Sequence, residues 1–101
     1  MVGPDAIEKR IYEIIKPYHG RSWKTFKIEP LSHNTVLNQS KGVNMDPLDA
    51  ETLLTSIFDE FHINLEELKF SIYYPENRKD EKPLTISMLI QSAKAGRWLY
   101  D

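Results

Sequence analysis

The chain contains no cysteine, which excludes disulfides, thiolate metal sites and a cysteine nucleophile while leaving the compartment open. Long hydrophobic runs are also missing. No stretch approaches the roughly 20 apolar residues that span a bilayer, and Met1-Val2-Gly3-Pro4-Asp5 leads into charged residues instead of an apolar segment. A soluble cytoplasmic protein is the expectation. Neither sign of charge dominates: 13 basic and 15 acidic residues leave a formal net charge of -2. No overall basic field therefore draws in nucleic acid or an anionic membrane, and neither is expected as a partner. The signatures of catalysis are lacking too, with no glycine-rich phosphate loop, Gly-X-Ser-X-Gly elbow or His-Glu-X-X-His motif. His19, His33 and His62 stand singly, without the short spacings of metal ligands. The expectation is a protein that is not an enzyme and holds no metal and no cofactor.

What the chain does have is enough apolar sequence for one core. At 101 residues, 41% apolar and 28% charged, it suits a single domain over residues 1–101. Its strongest periodic stretch is 46–61. Asp46 suits a helix cap and Pro47 the first turn, and Ala50, Leu53, Leu54, Ile57, Phe58 and Phe61 then recur as one apolar stripe. Asp49, Thr52, Thr55, Ser56, Asp59 and Glu60 are left for the outer face. Asn64 is the expected stop.

Two further helices are predicted around this one. In the first, Asp5 is the candidate cap with Glu8 in capping-box position, Ile7, Ile11, Ile14, Ile15 and Tyr18 form the apolar face, and Lys9 can pair with Glu13. Pro17 and Gly20 are read as its end. In the last, Thr85 is the cap, Ile86, Leu89, Ile90 and Ala93 the apolar positions, and Gly96 the terminator. Trp98, just beyond, is expected to fold back on the bundle. Between the first and central helices, residues 21–45 carry no sustained helical period and read as a long loop pinned by Trp23, Phe26, Ile28, Leu31, Val36 and Leu37. Phe26 and Ile28 have strand-like spacing but no evident pairing partner. Residues 65–74 predict a short helix or turn that buries Leu68, Phe70, Ile72 or Tyr73, and the polar run 76–82 an exposed loop. The fold class that follows is a small all-α bundle of three main helices plus one short helix.

Asp46-Pro47-Leu48-Asp49 at one end of the central helix and Phe61-His62-Ile63-Asn64-Leu65 at the other resemble the second helix of acyl carrier proteins. Asn34-Thr35-Val36-Leu37-Asn38 is similar to the Asp-Thr-X-Leu stretch of the carrier loop, whose leucine tucks under the bundle. Pro83-Leu84-Thr85-Ile86 is similar to the start of the carriers' last helix. This likeness covers roughly residues 31 to 96. The Ala50-Glu51 to Leu54 pattern, the aromatic-rich stretch through Tyr74-Pro75, Leu84 to Ile90 and Ala95-Gly96-Arg97-Trp98 further resemble a family of small uncharacterised bacterial proteins, a domain of unknown function regarded as acyl-carrier-like. The resemblance implies a carrier-like topology. It also marks a departure, because Pro47 stands where carriers place the serine that holds phosphopantetheine, and proline has no hydroxyl to modify.

Asp46 and Asp49 form a pair that capping and the helix dipole already account for. Ser40 and Ser56 are the serines nearest the missing attachment point, one upstream in the loop and one more than two turns along the helix. Trp23, Phe26, Tyr73, Tyr74 and Trp98 are read as core, with a groove for an acyl chain or peptide as the other possibility. The leading expectation is an interaction module without a phosphopantetheine arm. It would contact a partner protein through the start and outer face of the central helix, around Asp46, Asp49, Thr52, Ser56 and Asp59. The alternative is an atypical carrier or lipid-handling protein holding an acyl group at an unconventional site or non-covalently.

Overall fold

A computed structural model describes residues 4–19, 32–38, 43 and 45–100. Four α-helices appear in order: α1 Pro4–His19, α2 Pro47–Glu60, α3 Phe70–Tyr73 and α4 Ile86–Ala95. Single 3-10 turns lie at Leu65–Glu67 and Arg78–Asp80. Among the described residues there is no strand, only one isolated antiparallel bridge between Val36 and Thr85. Among the described residues the protein is a small all-α fold with three longer helices and one short one, as its periodicity implies.

The apolar stripe of α2 is the centre of the core. Ala50, Leu53, Leu54, Ile57 and Phe58 are all buried, because their spacing places them on one side of the helix. From α1 come Ile11 and Ile15, and from α4 Ile86, Leu89, Ile90 and Ala93. α1 packs against both of the other long helices, so its burial ties them together. Its start and end differ from the sequence expectation. Pro4 opens the helix, which puts Asp5 inside the first turn instead of at the cap, and the helix continues through Pro17 to His19. A proline so close to the end removes one hydrogen bond from the final turn and interrupts no further helix. Glu8 and Glu13 also find other partners: Glu8 faces His33, and Glu13 lies 3.6 Å from Arg10.

Both α2 and α4 end in the same kind of turn, in which a left-handed residue lets the chain bond back on the helix. At α4 that residue is Gly96, at φ 75°, and the amide of Arg97 donates to the carbonyl of Ser92 at 3.2 Å. At α2 it is His62, at φ 58°, and the amide of Ile63 donates to the carbonyl of Phe58 at 2.8 Å. The chain thus leaves the helix direction two residues before the expected stop. Asn64 has the opposite role: its side chain accepts from the amide of Glu66 at 3.0 Å and caps the following 3-10 turn.

Residues 32–38 form the seam of the fold. Thr35 and His33 offer their carbonyls to the amides of Ile86 and Ser87 at 3.1 and 2.9 Å, while the Thr85 hydroxyl accepts from the amide of Met88 at 3.3 Å. The first donors of α4, which have no partner inside the helix, are satisfied this way. Leu37 is buried. Beside it Asn38 is fully buried: its side-chain amide donates to the carbonyls of Tyr73 at 2.8 Å and Lys82 at 2.7 Å, and its oxygen accepts from the amide of Leu84 at 2.9 Å. Trp98 folds back as expected, its ring 5.6 Å from Phe58 and 6.1 Å from Tyr73. Tyr73 and Trp98 are therefore core, and Tyr74 stacks on Phe70 and donates its hydroxyl to the carbonyl of Met45 at 2.8 Å. Trp23, Phe26, Ile28, Leu31 and Gly20 lie outside the described residues.

Candidate functional site

The helix start that the sequence singles out is built as its residues require. Asp46 is extended, at φ -73° and ψ 163°, and its Oδ1 accepts from the amide of Asp49 at 2.8 Å. Pro47 follows in the first turn, where its missing N–H costs nothing. Asp49 adds negative charge where the backbone dipole favours it. Capping thus accounts for both aspartates, and among the described residues no group of three His, Cys, Asp or Glu side chains could hold a metal ion.

The structure places four of the five predicted site residues along one side of α2, with Asp46 at the cap before its first turn. Asp46, Thr52, Ser56 and Asp59 are exposed and Asp49 is half-buried. Positions 49, 52, 56 and 59 repeat at intervals of three and four and so lie in one line, which runs about 15 Å along the helix at its usual rise. The Thr52 hydroxyl donates to the carbonyl of Leu48 at 3.0 Å and the Thr55 hydroxyl to that of Glu51 at 2.8 Å. Ser56 is exposed mid-helix, and Ser40 lies outside the described residues.

One residue of this face went unread in the sequence. Leu48 is 77% exposed, the most exposed large hydrophobic side chain among the described residues. A signal for it was present. At 100° per residue Leu48 falls on the side of α2 opposite the stripe of Ala50, Leu53, Leu54 and Ile57, so its hydrophobicity serves no interior. Glu51, also exposed, completes a face of carboxylates, threonines and one leucine.

Glu60 belongs to a different arrangement. Arg10 of α1 grips it in a forked contact, Nε to Oε2 at 2.7 Å and Nη2 to Oε1 at 2.8 Å. The hydrogen bond from Arg10 holds the Glu60 carboxyl below its usual range, with burial opposing, and Glu60 in turn raises the Arg10 guanidinium. Glu60 is therefore a tie between α1 and the end of α2, and the charge left on the outer face is that of Asp46, Asp49, Glu51 and Asp59. His62 is exposed beyond the helix end, and His33 is paired with Glu8.

A short all-α domain with an exposed, mainly acidic face on its central helix is the class these features define. The chain belongs to the family described as "Protein of unknown function (DUF1493)", which matches residues 4–101. No curated protein and no solved structure matches it. Among the described residues no helix is long and apolar enough to cross a membrane.

Proposed function

We propose that the protein is a non-enzymatic, cytoplasmic interaction module that docks a partner protein on the outer face of α2, through Asp46, Leu48, Asp49, Thr52, Ser56 and Asp59. The observation that carries this reading is Leu48, an apolar side chain 77% exposed in the first turn of the helix and bordered by carboxylates. An exposed leucine that contributes nothing to the core gains by being covered, at roughly 25 cal/mol per Å² of apolar surface removed from water. The carboxylates around it favour a partner with a basic rim, since complementary charge steers association. The resemblance of residues 31 to 96 to acyl carriers, which dock partner enzymes through the acidic surface of this helix, supports the same face, with Pro47 in place of the attachment serine and so no prosthetic arm.

The test is capture on the wild-type chain and on two variants, Leu48→Ser and the double variant Asp49→Lys with Asp59→Lys. Both should lose most of the partner that the wild type retains while unfolding at nearly the wild-type temperature. Undiminished retention by both removes this face from consideration. The alternative reading, an atypical carrier or lipid-handling protein, is separated by the intact mass of the protein from its native host after gentle purification. An added acyl or phosphopantetheine mass favours the carrier, and a bare chain favours the module.

A further inference from the structure

Leu48 projects from the first turn of α2, and the backbone that aims it is fastened one residue before the cap. Met45 is buried, and both of its backbone groups are held from elsewhere in the chain. Its amide donates to the carbonyl of Leu37 at 2.9 Å. Its carbonyl accepts the Tyr74 hydroxyl at 2.8 Å. Tyr74 is the residue that ends α3, where its own amide donates to the carbonyl of Phe70 at 3.0 Å and its ring stacks on that of Phe70, centroids 4.8 Å apart and 16° from parallel. The base of this strut is fixed as well. Tyr73, next to it, is buried against Trp98, and its carbonyl accepts the Asn38 side-chain amide at 2.8 Å. Tyr74 thus reaches Met45 from a segment anchored in the core.

Little slack lies between that hydrogen bond and Leu48. The Met45 carbonyl shares a rigid peptide plane with the Asp46 amide. Asp46 is extended, at φ -73° and ψ 163°, in the region to which a following proline confines a residue. Pro47 then has its own φ locked by its ring. A tilt of the Met45 peptide is therefore passed on to the first turn, where the Asp46 carboxylate and carbonyl hold the amides of Asp49 and Ala50 at 2.8 and 2.9 Å.

We propose that Tyr74 is a positioning residue for the docking face: its hydroxyl, acting through the Met45 peptide, holds the start of α2, and with it Leu48, in one orientation. This rests on α2 being the face that a partner covers. A side chain already held in place loses less freedom when it is covered, which is how the tie serves docking. The short helix α3 is then more than a link between α2 and α4, since Tyr73 on its inner side anchors it and Tyr74 carries that anchorage to the first turn of α2.

Tyr74→Phe removes the hydroxyl and keeps the ring that stacks on Phe70, and backbone nitrogen-15 relaxation of the intact chain reads the result without any partner. The amides of Leu48, Asp49 and Ala50 should have order parameters of about 0.85 in the wild type and fall toward about 0.6 in Tyr74→Phe. Those of Leu54 and Ile57, in the middle of α2, should keep the wild-type value. A purely structural loss would lower the unfolding temperature and leave the order parameters of the folded state unmoved. The proposal is overturned if the three first-turn amides do not change, or if Leu54 and Ile57 fall as far as they do. Neither result depends on capture through Leu48, so positioning and docking fail separately.

Discussion

The side-chain oxygen of Asn38, a residue with no exposed surface, accepts the amide hydrogen of Leu84 at 2.9 Å. That one side chain also satisfies the carbonyls of Tyr73 and Lys82, so it joins the loop before α2 to both ends of the segment between α3 and α4. Asn38→Ala would leave a buried amide and two carbonyls without these partners. The expected loss is roughly 2–4 kcal/mol, since each unsatisfied buried group costs about 1–3 kcal/mol and relaxation recovers part of it. Urea unfolding measures it, and a loss under about 0.5 kcal/mol would show that water replaces the side chain without difficulty.

Leu48 and Leu54 lie six residues apart in α2 with opposite environments, 77% and 1% exposed. Leu54→Ala should cost about 2–5 kcal/mol through lost transfer energy and a cavity. Leu48→Ala should change stability by no more than about 0.5 kcal/mol. A large loss at Leu48 would mean that it packs within the chain, and would remove its availability for docking.

The two left-handed residues that end α2 and α4 predict opposite responses. Nothing lies within 4 Å of a methyl group added at Gly96, so Gly96→Ala should cost about 1 kcal/mol from backbone conformation alone. His62 already bears that strain, and His62→Gly should raise stability by about 0.5 kcal/mol, the strain relieved less the entropy a glycine adds to the unfolded chain. Thermal unfolding of both variants against the wild type checks the pair of signs.

Acid stability should depend on the tie between α1 and α2. The Glu60 carboxyl is lowered in the fold, chiefly by the hydrogen bond from Arg10, so its contribution is present above the unfolded carboxylate range and lost as the pH falls through the folded value. Unfolding midpoints between about pH 6 and pH 3 should therefore decline less steeply for Glu60→Gln than for the wild type. Parallel curves would show that the forked contact adds nothing in solution. Because it is exposed, its effect should shrink with added salt.

Burying Trp98 against Phe58, Tyr73 and Tyr100 makes the C-terminal tail part of the core. Trp98→Ala should cost about 3–5 kcal/mol, as judged by denaturant midpoint. A surface tail would show almost no change.

Repeating patterns made most of the helices legible in order along the chain. Ala50 to Phe58 recur at helical spacing, and each of them is buried; Thr85 and Gly96 bracket α4 as cap and terminator. Local chemistry is enough for these, because a helix is closed by groups within four residues of one another. The start of α2 was equally visible in Asp46 and Pro47. Its end was not, because the left-handed turn falls on a histidine, and although histidine is enriched there relative to most residues, a positive φ remains uncommon for any residue but glycine.

The features that join distant segments were decided by packing. Asn38 read only as a loop residue, Glu8 as half of a capping box and Glu60 as one more surface carboxylate. Their partners stand 46, 25 and 50 positions away along the chain, beyond the reach of any periodicity. Leu48 belongs between the two cases: its hydrophobicity and its place opposite the stripe are local facts, but only the tertiary structure shows that no neighbour covers it. Order along the chain thus set where the helices lie and which face of each turns inward. Which polar groups meet, and what remains open to a partner, depended on how those faces came together in three dimensions.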